Sequence, residues 1–149
     1  MTFLFAMLAC AGTWRAGVVT TAGDELVLVE PEGRTSGLRG GSSMEVLQAL
    51  TGCGVEVRGP RLAGGVVVRD WRVTDAGDGQ PPYVGVLRRY GGNWIVDDRN
   101  SGQPVILEYT TVGALTEAEG QLVLVQGLVV GAQTVRVMGY RVLGAPDPG

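Results

Sequence analysis

Hydrophobic and polar positions alternate along this chain with a period of two, in short runs separated by Gly-, Asn- and Asp-rich turns. That pattern predicts β-strands with one buried face. In the C-terminal half, Tyr83 to Tyr90 is an apolar run ending in Arg88-Arg89-Tyr90, and Gly91-Gly92-Asn93 reads as a tight turn. Trp94 to Asp97 is the next strand, Asp98 to Gly102 turns the chain, and Pro104 to Tyr109 makes a third strand. Its proline stands at the first position, where a missing N–H does least harm. The helical stretch is most legible in the N-terminal half. There Ser42-Ser43-Met44-Glu45 fits a capping box, Val46, Leu47 and Leu50 share a face, and Gly52 supplies the stop. Gly54 to Gly59 follows as a clean alternation, valines inward and charges outward. The last strand, Val66 to Val73, keeps period two through Val66 and Val68, then skips a residue before Trp71 and Val73. Val135, Val137, Tyr140 and Val142 skip at the same place. A repeated phase slip predicts a β-bulge in a strongly curved strand.

The design is present twice. Shifted by 68 positions, Gly17, Val18, Gly23, Leu47, Gly52, Val55, Val57 and Gly59 fall on Gly85, Val86, Gly91, Leu115, Gly120, Val123, Val125 and Gly127. About three or four such identities are expected from so Gly- and Val-rich a composition, so the copies mark a real repeat. The boundaries predicted are 1–12 as a signal-peptide-like or lipobox-like segment, 13–75 as the first copy, 76–82 as a Gly/Pro linker, 83–144 as the second copy and 145–149 as a tail. Strand, strand, strand, short helix, strand, strand, with a glycine closing the fourth strand, resembles the OB-fold, a five-stranded Greek-key barrel. The closing pattern Gly-x-x-Val-x-Val-x-Gly followed by Val-x-Val-x-x-Tyr/Trp-Arg-Val is similar to small OB-type domains of exported bacterial envelope proteins. The expected fold class is therefore all-β: two tandem five-stranded OB-like barrels, each with a helix between strands three and four. One continuous β-sandwich of ten strands is the alternative. In the first copy Thr35 to Gly41 is rich in Gly and Arg, which predicts a short or frayed third strand.

Composition narrows the chemistry. All 12 basic residues are Arg, His is absent, and the net charge is −3. Without His or Lys the common general bases and the commonest zinc ligand are missing, which argues against an enzyme and implies no cofactor and no metal. Neither copy has the basic excess that phosphate-backbone binding requires, so a nucleic-acid partner is disfavoured.

The segment Met1 to Ala9 is apolar and too short to span a bilayer. It has the length of a signal-peptide core, and Leu8-Ala9-Cys10 resembles the end of a bacterial lipobox. The resemblance implies export to the periplasm or cell envelope, acylation of Cys10, and membrane contact through that anchor alone. The rival expectation is that residues 3–9 form an ordinary buried strand. If Cys10 is not acylated, a Cys10–Cys53 disulfide becomes available in an oxidising compartment.

OB barrels commonly bind ligands on the face of strands two and three. On the second copy that face predicts a binding set of Trp94 and Tyr109, with Tyr90, Arg88 and Arg89 beside it. Stacking on a base or sugar is set against core packing, because Trp94 aligns with the core-like Leu26. Asp97 and Asp98 are adjacent on an extended strand and point to opposite faces, so they form no acid/base dyad. Where the first copy has Gly54, Glu56 and Arg58, the second has Leu122, Leu124 and Gln126. The run Leu122 to Val125 is apolar on both faces, which predicts an interface at Leu122 and Leu124, either with the other copy or with an envelope protein partner. The functions expected are a non-enzymatic envelope scaffold, a single-stranded nucleic-acid-binding tandem, or a small-molecule or glycan binder at a barrel face.

Overall fold

The computed structural model describes residues 13–41, 43–108 and 113–146. The chain separates into two compact units, residues 1–79 and 80–149, within the stretch expected to be the linker. The structure is predominantly β.

Unit 2 is a closed five-stranded barrel. Its strands are β8 (Tyr83–Tyr90), β9 (Asn93–Asp97), β10 (Pro104–Glu108), β11 (Leu122–Val129) and β12 (Thr134–Gly144), and its helix, α2, is Gly113–Glu117. Around the barrel the order is β10-β12-β11-β8-β9. All neighbours are antiparallel except β10 and β12, which run parallel. The first strand is shared: Tyr83–Val86 pair with β11 and Leu87–Tyr90 with β9. Close to the handover, at Gly85, a Cβ would overlap the Asp97 carbonyl oxygen. Leu87, Trp94, Val96, Val105, Leu107, Leu115, Val123, Val125 and Val135 fill the interior.

Unit 1 is a seven-stranded sheet of order β5-β6-β3-β2-β1-β4-β7. It comprises β1 (Arg15–Ala22), β2 (Glu25–Val29), β3 (Thr35–Arg39), β4 (Gly54–Arg58), β5 (Arg61–Leu62), β6 (Gly65–Val67) and β7 (Asp70–Asp75), with helix α1 at Ser43–Ala49. Its pairings repeat those of unit 2: β1 with β2 and β4, β2 with β3, β4 with β7, all antiparallel, and β3 with β6 in parallel. β6 and β7 are one run of chain parted at Val68–Arg69. There the Val68 N–H donates to the Arg39 carbonyl, 2.6 Å, and the Arg69 N–H to the Arg58 carbonyl, 2.8 Å. Consecutive amides thus hold opposite sides of the sheet together. In unit 2 the corresponding slip is Met138, the residue skipped when Gln126 faces Gly139 and Gly127 faces Val137.

The repeated glycines have local causes. Gly23 and Gly91 turn the first hairpins at φ 64° and 59°, and Gly52 and Gly120 end the helices at φ 90° and 83°. The amides of those last two bond to the carbonyls of Val19 and Leu87, at 2.8 Å in both units. Each helix is thereby fastened to its first strand, and Leu47 and Leu115 are fully buried beside it. Burying each leucine contributes roughly 1.5–3 kcal/mol.

The third strand of unit 1 corrects the expectation of fraying. β3 has five residues, as β10 has, and pairs on both sides, with β2 and β6. The 68-residue offset hides the match, because Leu38 faces Val66 as Leu107 faces Val135, an offset of 69. Ser36 takes the buried position that Val105 holds in unit 2 and accepts a long hydrogen bond from Arg61, 3.4 Å.

Candidate functional site

The face expected to bind is largely occupied by its own side chains. Trp94 lies on β9 opposite Leu107 of β10, is 7% exposed and packs into the barrel interior. Its alternation with Ile95 and Val96 puts its ring on the same side as fully buried Val96. The Arg89 guanidinium lies over the Trp94 ring, 5.0 Å from its centroid. Arg88 points the other way and makes two hydrogen bonds to the Asp97 carboxylate, 2.6 and 2.8 Å. Those bonds, with the neighbouring negative charge, raise the Arg88 pKa further above the ordinary arginine value. Tyr90, at the end of β8, is 72% exposed. Tyr109 lies outside the described residues, as does Cys10. Cys53 is fully buried, with its carbonyl accepting the Val19 amide.

Asp97 and Asp98 part company as strand geometry demands. Asp98 is buried, and its carboxylate accepts hydrogen bonds from the Val84 amide, 3.2 Å, the Ser101 amide, 3.2 Å, and the Ser101 hydroxyl, 2.8 Å. It ties the β9–β10 turn to the start of β8. Glu30 holds the equivalent position in unit 1, largely buried and facing Arg15 at 3.5 Å. An acid at the end of the second strand is thus a shared device for anchoring the first, and its sequence signal is the Glu30/Asp98 match under the 68-residue offset. Among the described residues, no three or more Cys, Asp or Glu side chains gather as a metal site. No helix there is long and apolar enough to cross a membrane.

Leu122 and Leu124 are buried, at 3% and 2%, although the strand sends them to the face opposite Val123 and Val125 of the interior. In unit 1 the same face of β4 and β7 carries ion pairs, Arg58 with Asp70 at 3.2 Å and Arg72 with Glu56 at 2.7 Å. Both guanidinium groups also lie over the Trp14 ring, at 4.7 and 4.3 Å. Sequence reading missed that stack, because under the 68-residue offset Trp14 falls on Pro82 and has no aromatic counterpart.

Exposed apolar surface collects elsewhere. In the β11–β12 hairpin Leu128, Val129 and Val130 are 57%, 69% and 43% exposed. Next to them is a cleft of about 270 Å³, lined by Tyr83, Pro104, Val105, Val129, Thr134 and Val135 among others. The signal in the sequence is a run without a single charge, from Gln121 to Val135. The chain matches no family model and no curated protein sequence.

Proposed function

We propose that this chain is a non-enzymatic interaction scaffold of the bacterial cell envelope, built from two OB-like modules. The OB assignment draws support from the strand pairing: in each unit the first strand lies between the second and fourth, and the third runs parallel to the closing run of chain, β6 in unit 1 and β12 in unit 2. One observation carries the functional reading. Two of the groups that would stack on and neutralise a nucleic acid are engaged by the protein itself, Trp94 in the core and Arg88 on Asp97, while exposed apolar side chains gather on the β11–β12 hairpin. Apolar exposure of this kind marks protein contact sites. The envelope assignment rests on the Leu8-Ala9-Cys10 segment and its likeness to a lipobox.

Intact mass and membrane fractionation in a bacterial host test this reading. A membrane-bound chain that begins at Cys10 and carries acyl mass supports it. A soluble chain that begins at Met1 and is retained on single-stranded DNA at low ionic strength, where electrostatic affinity is greatest, overturns it in favour of nucleic-acid binding.

A further inference from the structure

The β11–β12 hairpin projects past the strand that should flank it. The pairing of β8 with β11 starts at Tyr83, which faces Val125, and reaches no further along β11. Continuing that register would set Pro82 against Gln126 and Pro81 against Gly127, and proline has no N–H to give a ladder. β11 nevertheless runs on to Val129, paired on its other side with β12. The Val130 amide bonds to the Thr134 carbonyl, 3.0 Å. By the alternation of an antiparallel pair, Leu128 then exchanges bonds with Arg136, whereas Gly127 and Val129 turn their N–H and C=O groups away from β12. Among the described residues no strand pairs with that outer edge.

Unit 1 protects the same edge differently. The Pro60 carbonyl, at the position of Leu128, accepts from the Val67 amide on the inner side, and Arg61 stands at the outward position that Val129 holds in unit 2. Charge is a usual protection of an exposed edge, and unit 2 carries an apolar side chain there instead. Val129 faces Val135 across the hairpin, so its side chain shares the side of the cleft that it helps to line. A strand laid beside Val129 sends alternate side chains to that same side.

We infer that the outer edge of β11, from Gly127 to Val130, takes up an extended, uncharged peptide segment as an added strand, with one apolar side chain seated in the adjoining cleft. The inference deepens the scaffold reading and rests on it. The occupant follows from three features: an unpaired backbone edge asks for extended chain, a cleft with no charged residue in its lining asks for an uncharged side chain, and an edge of four residues matches a segment rather than a globular face. Main-chain bonds then supply affinity and the cleft supplies selectivity.

The test uses the full chain, labelled with nitrogen-15, and a fluorescent seven-residue peptide alternating threonine with valine or leucine. The expected result is saturable binding, with the Gly127 and Val129 amides shifting most and the Val129 amide slowing in solvent exchange. Val129→Pro removes the outward N–H without touching a bond to β12, and weakens binding roughly tenfold. Val129→Lys keeps the N–H but brings charge to the edge, also weakens binding, and serves as the deciding variant if the proline form melts early. Saturation without a shift at Gly127 or Val129, or full affinity in both variants, overturns the edge while leaving the scaffold reading to its own fractionation test. Self-association that competes with the peptide makes a second copy the occupant and overturns the inference as stated.

Discussion

Gly85 passes so close to Asp97 that a Cβ on the glycine would overlap the aspartate's carbonyl oxygen. The contact lies beside the point where β8 passes from β11, paired through Val86, to β9, paired from Leu87, so two backbones meet there with no room for a side chain. Gly85→Ala is therefore expected to destabilise unit 2 by about 3 kcal/mol, at the upper end of overpacking costs. Gly37 is a control within the same chain: it has ordinary φ, and a methyl group there would meet nothing nearer than 4.0 Å. Gly37→Ala should therefore leave stability unchanged or raise it by about 0.5 kcal/mol. Denaturant midpoints of the two variants distinguish steric need from chance glycine.

Asp98 offers a second measurement. Three donors converge on its buried carboxylate, two of them backbone amides. Asp98→Ala leaves those amides without an acceptor and is expected to cost about 2–3 kcal/mol, with Asp98→Asn intermediate because one oxygen remains. Hydrogen exchange at the Val84 and Ser101 amides should accelerate in the alanine variant. Unchanged protection there would show that the carboxylate is not what holds the turn.

Trp94 separates a core role from a stacking role. A buried indole in the barrel interior predicts that Trp94→Ala costs about 3–5 kcal/mol. A surface stacking residue would cost little stability and much ligand affinity. A thermal melt of the variant decides between them before any ligand is known.

In unit 1 the Trp14 ring meets two guanidinium groups on β4 and β7. Trp14→Ala is expected to lower the stability of that unit by about 1–2 kcal/mol, from two partly solvated cation–π contacts. Double-mutant cycles of Trp14 with Arg58 and with Arg72 should each give non-zero coupling. Additive effects would mean that the ring and the guanidinium groups are merely adjacent.

The described residues of the expected binding set meet different surroundings. Trp94 turns inward, Arg88 is engaged by Asp97, Arg89 lies over the indole and Tyr90 stands in solvent. Each side chain's strand was legible from periodicity, but its surroundings were not. Alternation tells which residues share a face and not which face meets the core of a closed barrel. The unprotected edge of β11 was legible only in part: the charge-free run is visible in one dimension, but that Pro81 and Pro82 would lie beside it depends on register.

The amino-acid sequence by itself determined the main strands, the turns, the short helix, the duplication and the phase slip of the last strand. Apart from the duplication these are local: hydrophobic spacing, glycines that accept positive φ, and a proline at a strand start act within a few residues. Tertiary structure alone decided that Gly85 is a steric necessity, that Leu38 matches Leu107 rather than its neighbour, that Asp98 anchors β8, and that β11 outruns its flanking strand. Those relations join residues far apart in the chain, and they exist only once strand pairing has brought backbone to backbone.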